Sequence, residues 1–119
     1  MSYDLSLCDP VTRGVIHFDH SHEMRGGTYA LGGTTEAALN ITYNYASHYR
    51  RVFGSEEGIR SLYDKTGAES IPVLRAAIDK LGNDVSDNYW EPTEGNAKLA
   101  LLQLLAMAQM RPDGVWEGD

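Results

Sequence analysis

The sequence predicts an α+β fold: an N-terminal β-hairpin or small antiparallel sheet followed by a compact bundle of three to four helices. Three observations predict it. Short β-tolerant segments separated by turn chemistry fill the first 33 residues, apolar residues recur at helical spacing after them, and capping residues and prolines bound the helical stretches. A chain of 119 residues buries one core but hardly two, so one domain over 1–119 is expected. Within it lie a β and histidine-rich region (1–33), a helical region (34–111) and a tail (112–119).

Tyr3–Cys8 and Gly14–Phe18 read as the hairpin strands, because Asp9-Pro10 opens a turn between them. The glycine pairs Gly26-Gly27 and Gly32-Gly33 bracket Thr28-Tyr29-Ala30-Leu31, which reads as a third short strand. From Thr34 or Thr35 onward, Ala38, Thr42, Tyr45, Tyr49 and Val52 recur at helical spacing and Gly54 supplies a stop, so a helix of about five turns is expected. A shorter helix is expected over Glu56–Tyr63. Another starts near Ser70 with Pro72 close to its first turn, an apolar face of Ile71, Leu74, Ile78 and Leu81, and Gly82 in a left-handed conformation at its end. The last helix runs from near Thr93 to Met110, before Pro112 forbids continuation. Its stretch Leu99–Ala108 is apolar nearly all round, which places it at the centre of the core in preference to an oligomer interface.

Seventeen acidic against ten basic residues give a net charge of −7, which serves solubility and repels phosphate backbones and anionic lipid at long range. Direct nucleic-acid and membrane partners are therefore not expected. A protein with a basic surface, including one that normally holds nucleic acid, is the expected partner class. Tyr43, Trp90 and Trp116 are the candidate partner-binding anchors, although Trp116 is also the residue expected to pin the tail onto the domain. The single cysteine, Cys8, excludes an intramolecular disulfide and fits a reducing compartment. The N-terminal residues lack a secretion signal and no run is long enough to span a bilayer, so a cytoplasmic location is expected.

The densest set of possible metal ligands is Cys8, His17, Asp19, His20, His22 and Glu23. Thiolate, imidazole and carboxylate are the donors zinc accepts, and a tetrahedral site on Cys8, His17, His20 and His22 would staple a small domain. Asp19 or Glu23 stand as alternative oxygen ligands. The competing reading has the histidines solvated and Cys8 packed as a small hydrophobe. Arg25-Gly26-Gly27-Thr28 with Gly32-Gly33-Thr34-Thr35 reads as turns and a helix cap before it reads as a phosphate loop, since no Walker lysine follows. Asn40, Asn44, His48 and Arg51 form a polar stripe on the expected long helix, read as a solvated face. No nucleophile elbow, His-Glu-x-x-His or deaminase cysteine pair is present, so no catalytic residue is assigned and an enzyme is the less favoured class.

The stretches Tyr3-Asp4-Leu5-Ser6-Leu7-Cys8-Asp9-Pro10, Met24-Arg25-Gly26-Gly27-Thr28-Tyr29, Asn40-Ile41-Thr42-Tyr43-Asn44-Tyr45 and Met110-Arg111-Pro112-Asp113-Gly114 resemble small proteins of phages and prophages. Small acidic proteins from such genomes resemble inhibitors of host defence, including anti-CRISPR proteins that block a Cas nuclease. The resemblance implies a binding protein that occupies a surface of a host-defence protein in the cytoplasm of a bacterial host cell; the Cys8, His17, His20 and His22 ligand set separately gives zinc as the expected structural cofactor. Two other classes remain open at this point. One is a metal-dependent hydrolase in which His17, His20 and His22 hold the metal and Glu23 or Asp19 activates water. The other is a phage structural or assembly protein that mates through its apolar C-terminal helix.

Overall fold

Strand β1 (Ser2–Cys8) is the centre of the main sheet, because its alternate residues Tyr3, Leu5 and Leu7 are all buried and a partner strand lies on each side. The computed structural model describes residues 1–24 and 33–119. Within them the chain is α+β: β1, β2 (His17–His22), β3 (Thr34–Glu36), β4 (Ala38–Thr42), α1 (Ala46–Phe53), α2 (Gly67–Asp79), α3 (Glu94–Met110) and β5 (Val115–Gly118), with 3-10 turns at Tyr43–Tyr45 and Gly58–Leu62. The main sheet runs β4-β1-β5, antiparallel throughout, and β2 pairs with β3 in a separate two-stranded sheet.

The turn after β1 forms as its residues dictate. Asp9 Oδ1 accepts from the Val11 and Thr12 backbone N–H groups at 2.8 and 3.0 Å, and Asp9 N–H closes onto the Gly14 carbonyl at 2.8 Å. The returning chain meets β1 through one bridge, Cys8 to Val15, and one further bond, Ile16 N–H to the Leu7 carbonyl at 3.0 Å, before it leaves. The expected hairpin is thus replaced as the sheet's foundation by β4 and β5. The expected strand Thr28–Leu31 lies outside the described residues.

The expected long helix from Thr34 or Thr35 is corrected. Its first part is strand: Leu39 and Ile41 alternate onto the buried side, opposite Leu5 and Tyr3 of β1. The apolar positions fit a period of two as well as 3.6, and pairing with β1 decides between them. Helix begins only at Ala46, and Gly54 ends it in a left-handed conformation at φ 66°, as its position predicted. The β region accordingly extends to Thr42, and the tail, expected to be pinned by Trp116, contributes strand β5.

The expected helix over Glu56–Tyr63 is a 3-10 turn, and α2 starts three residues before Ser70. Thr66 caps α2 in a capping box: its Oγ1 accepts from Glu69 N–H at 3.0 Å while the Glu69 carboxylate accepts from Thr66 N–H at 2.9 Å. Pro72 therefore lies inside the helix and not in its first turn, and Gly82 is not among the residues with positive φ. The last helix forms over the expected span, with Thr93 Oγ1 accepting from Asn96 N–H at 3.0 Å.

One contiguous core joins sheet and helices, with Leu5, Leu7, Ile41, Tyr49, Leu104 and Trp116 among its members. Each such side chain contributes on the order of 2 kcal/mol on burial. Ala100, Leu101, Leu104, Met107 and Ala108 of α3 face this core, whereas Leu99, Leu102 and Met110 lie exposed, so one side of the helix is uncovered. Among the described residues no helix is long and apolar enough to cross a membrane.

Candidate functional site

The segment 82–93, between α2 and α3, contains three carboxylates, Asp84, Asp87 and Glu91, and no lysine or arginine. It has no helix or strand, yet its backbone is held throughout by side chains. Asn96, buried in the first turn of α3, carries most of this. Its Oδ1 accepts from Ser86 N–H at 3.0 Å, and its Nδ2 donates to the carbonyls of Asn88 at 3.1 Å and Glu91 at 3.0 Å. Within the segment, Asp84 Oδ1 accepts from Gly95 N–H at 3.2 Å, Ser86 Oγ from Asn88 N–H at 3.1 Å, and Asn88 Oδ1 from Trp90 N–H at 3.1 Å. Irregular backbone needs partners other than its own ladder, and here short polar side chains supply them.

α1 and the 3-10 turn before it form the other wall. Asn44 Nδ2 donates to the Trp90 carbonyl at 2.7 Å, His48 Nε2 donates to the Pro92 carbonyl at 2.7 Å, and the Tyr45 hydroxyl donates to the Tyr89 carbonyl. Arg51 pairs with Glu94 at 3.2 Å, and the same Glu94 oxygen accepts from Gly82 N–H at 3.2 Å. Lys98 Nζ donates to Asn83 Oδ1 at 2.8 Å, tying down the other end. Gly95 permits the close seating, because a Cβ there would lie 2.7 Å from backbone atoms of Asp84 and Val85.

The result is a fixed platform for outward-facing groups. Val85, Tyr89 and Trp90 are 58%, 37% and 47% exposed, with Asp87 and Glu91 exposed beside them in the chain. Trp90 is therefore a surface residue, as a partner anchor must be. Tyr43 is half-buried, its ring edge-on to Tyr3 at 4.5 Å and its hydroxyl accepting from Arg60 at 3.1 Å. Trp116 is fully buried in β5 and its Nε1 donates to Ser70 Oγ at 2.8 Å, so it pins the tail and is corrected from surface anchor to core residue.

The expected polar stripe changes meaning. Asn40 lies on β4, outside any helix, and its Nδ2 donates to Ser2 Oγ at 2.8 Å. Asn44, His48 and Arg51 do share a side; Asn44 and Arg51 are exposed there as expected, while Asn44 and His48 also hold carbonyls of the segment 82–93 and Arg51 pairs with Glu94. Asn96, which holds the segment from the other wall, was not singled out by the sequence. Its signal is present only in hindsight, as a polar residue at an inward position three after the Thr93 cap.

The four residues expected to hold zinc do not converge. Cys8 is buried, and burial together with a hydrogen bond to Glu117 pushes its thiol up to about 11, away from the thiolate a metal requires. His17 is exposed and its Nδ1 lies 2.8 Å from Thr35 Oγ1. His20 is exposed on β2, while His22 is half-buried with Nε2 2.6 Å from the Glu36 carbonyl. Among the described residues no group of three or more His, Cys, Asp or Glu side chains is placed to hold a metal ion. His17, His20 and His22 instead border an open cleft of about 460 Å³ between β2 and the end of α3, lined also by Phe18, Met24 and Met110.

Comparison with family models, with curated proteins and with solved structures returns no match to this chain.

Proposed function

We propose that this chain is a protein-binding protein that docks on a basic partner surface through the segment 82–93, with Trp90 as its central anchor. The supporting observation is the fixing of an irregular, acidic segment by Asn96, Asn44 and His48 so that its backbone is ordered while Trp90 stays exposed. Fixing the segment in advance removes ordering entropy from binding, and tryptophan is among the residues enriched at energetic hot spots of interfaces. The carboxylates of Asp87 and Glu91 steer a positively charged partner toward it. In its finer form the reading is inhibition by occupancy of a host-defence protein such as a CRISPR-Cas nuclease, supported by the sequence resemblance to small phage proteins.

Surface plasmon resonance against a panel of such nucleases, each free of nucleic acid, tests it. Binding to at least one member is expected, with an association rate that falls about tenfold as salt rises from low to physiological strength. Trp90→Ala should weaken affinity roughly thirtyfold or more. Binding indifferent to both salt and Trp90→Ala, or no binding to any basic protein in the panel, would overturn the reading.

A further inference from the structure

The cleft beside β2 collects soft donors. His20 and His22 lie two residues apart in β2, and both border the cleft. Phe18 and His22 meet edge-on at 6.0 Å, and the register of β2 against β3 shifts between His17 and His22. Met24, half-buried, follows two residues on, and Met110 lies at the end of α3, so two of the chain's four methionines border the same cleft.

The ring of His22 is already oriented for ligation. Its Nε2–H donates to the Glu36 carbonyl at 2.6 Å, which leaves the lone pair on Nδ1. A backbone carbonyl on the second nitrogen is the usual support of a metal-bound histidine. Nδ1 meets only a long bond from Met24 N–H, at 3.3 Å, which an ion would replace at little cost. His20 is exposed at the border of the cleft.

We propose that His20 and His22, with the thioethers of Met24 and Met110, bind copper(I). Imidazole and thioether are donors a soft monovalent ion favours. Cys8 does not border the cleft, so the soft donors there are imidazole and thioether. Asp19 and Ser21 supply harder oxygen donors at the border of the cleft, which Arg111 also lines. The site is independent of the docking segment 82–93.

Tag-free full-length protein, titrated with copper(I) under anaerobic reducing conditions against a chromophoric copper(I) chelator, tests the proposal. One equivalent should be withheld from the chelator. His20→Ala and His22→Ala should each weaken binding on the order of a hundredfold, and Met24→Leu with Met110→Leu about tenfold. His20 is exposed, so His20→Ala keeps the native near-ultraviolet dichroism and separates lost ligation from lost folding. Failure to withhold copper, or affinity unchanged in His20→Ala, overturns the site. Tighter binding of zinc than of copper(I), abolished in Asp19→Asn, overturns its assignment to a soft ion.

Discussion

Asn96 Nδ2, in the first turn of α3, donates at 3.1 Å to the carbonyl of Asn88, eight residues earlier in a segment without helix or strand. The same amide serves Glu91 and Ser86, so one buried side chain satisfies three backbone groups. Asn96→Ala strands all three. A net bond is worth about 1 kcal/mol and a buried orphan costs about 1–3, so the variant should lose roughly 2–4 kcal/mol of unfolding free energy. Urea denaturation measures it, and a loss below about 0.5 kcal/mol would mean that water replaces the amide without cost.

Ser70 shows the same economy in the core. Its hydroxyl donates to the Gly67 carbonyl at 2.7 Å and accepts from Trp116 Nε1 at 2.8 Å. Ser70→Ala leaves the indole N–H without an acceptor in a fully buried position. A loss of about 1–3 kcal/mol is expected by the same denaturation assay, together with increased exposure of the tail to proteolysis. Unchanged stability would show that the tail is held by apolar packing alone.

The span of α3 and the end of α1 were legible because their signals are local: Thr93 and Pro112 bound α3, and Gly54 stops α1, in both the sequence and the fold. The start of α2 was legible only in part, because the Thr66–Glu69 capping box reads as such only when Gly67 is accepted as the first helical residue. β4 was not legible. Leu39 and Ile41 suit either period, and their strand state depends on pairing with Tyr3 and Leu5, more than thirty residues away. The candidate site failed to show for a related reason. Asn44 and His48 spend their hydrogen bonds on carbonyls of Trp90 and Pro92, and backbone acceptors carry no sequence signature.

Alkaline pH should weaken the fold. Burial first, and a hydrogen bond to Glu117 second, push the Cys8 thiol up to about 11, and burial pushes the Tyr45 hydroxyl up to about 12 and that of Tyr49 well above its ordinary value. Above about pH 9 an unfolded thiol releases its proton while the folded one keeps it, so the folded state binds more protons and stability falls as pH rises. The loss runs between about pH 9 and 11 for Cys8 and continues upward for the tyrosines. On the acid side the sign reverses. The Thr12 and Val11 N–H groups hold the Asp9 carboxyl below its ordinary range, so the stability it contributes is lost as pH falls below about 4. Thermal unfolding across pH 3–11 should therefore show a plateau near neutrality with both flanks falling. A Tm that rises from pH 9 to 11 would contradict the buried, protonated thiol.

The most direct test of the central claim is amide hydrogen exchange of the wild-type chain across the segment 82–93. An anchored docking segment requires that the amides of Ser86, Asn88, Trp90 and Thr93 exchange on the order of a hundredfold or more slowly than in an unstructured peptide, although the residues around them are exposed. Exchange of these amides at peptide rates, with α2 and α3 still protected, would contradict it: the segment would then be mobile, and Trp90 would have no fixed position from which to meet a partner.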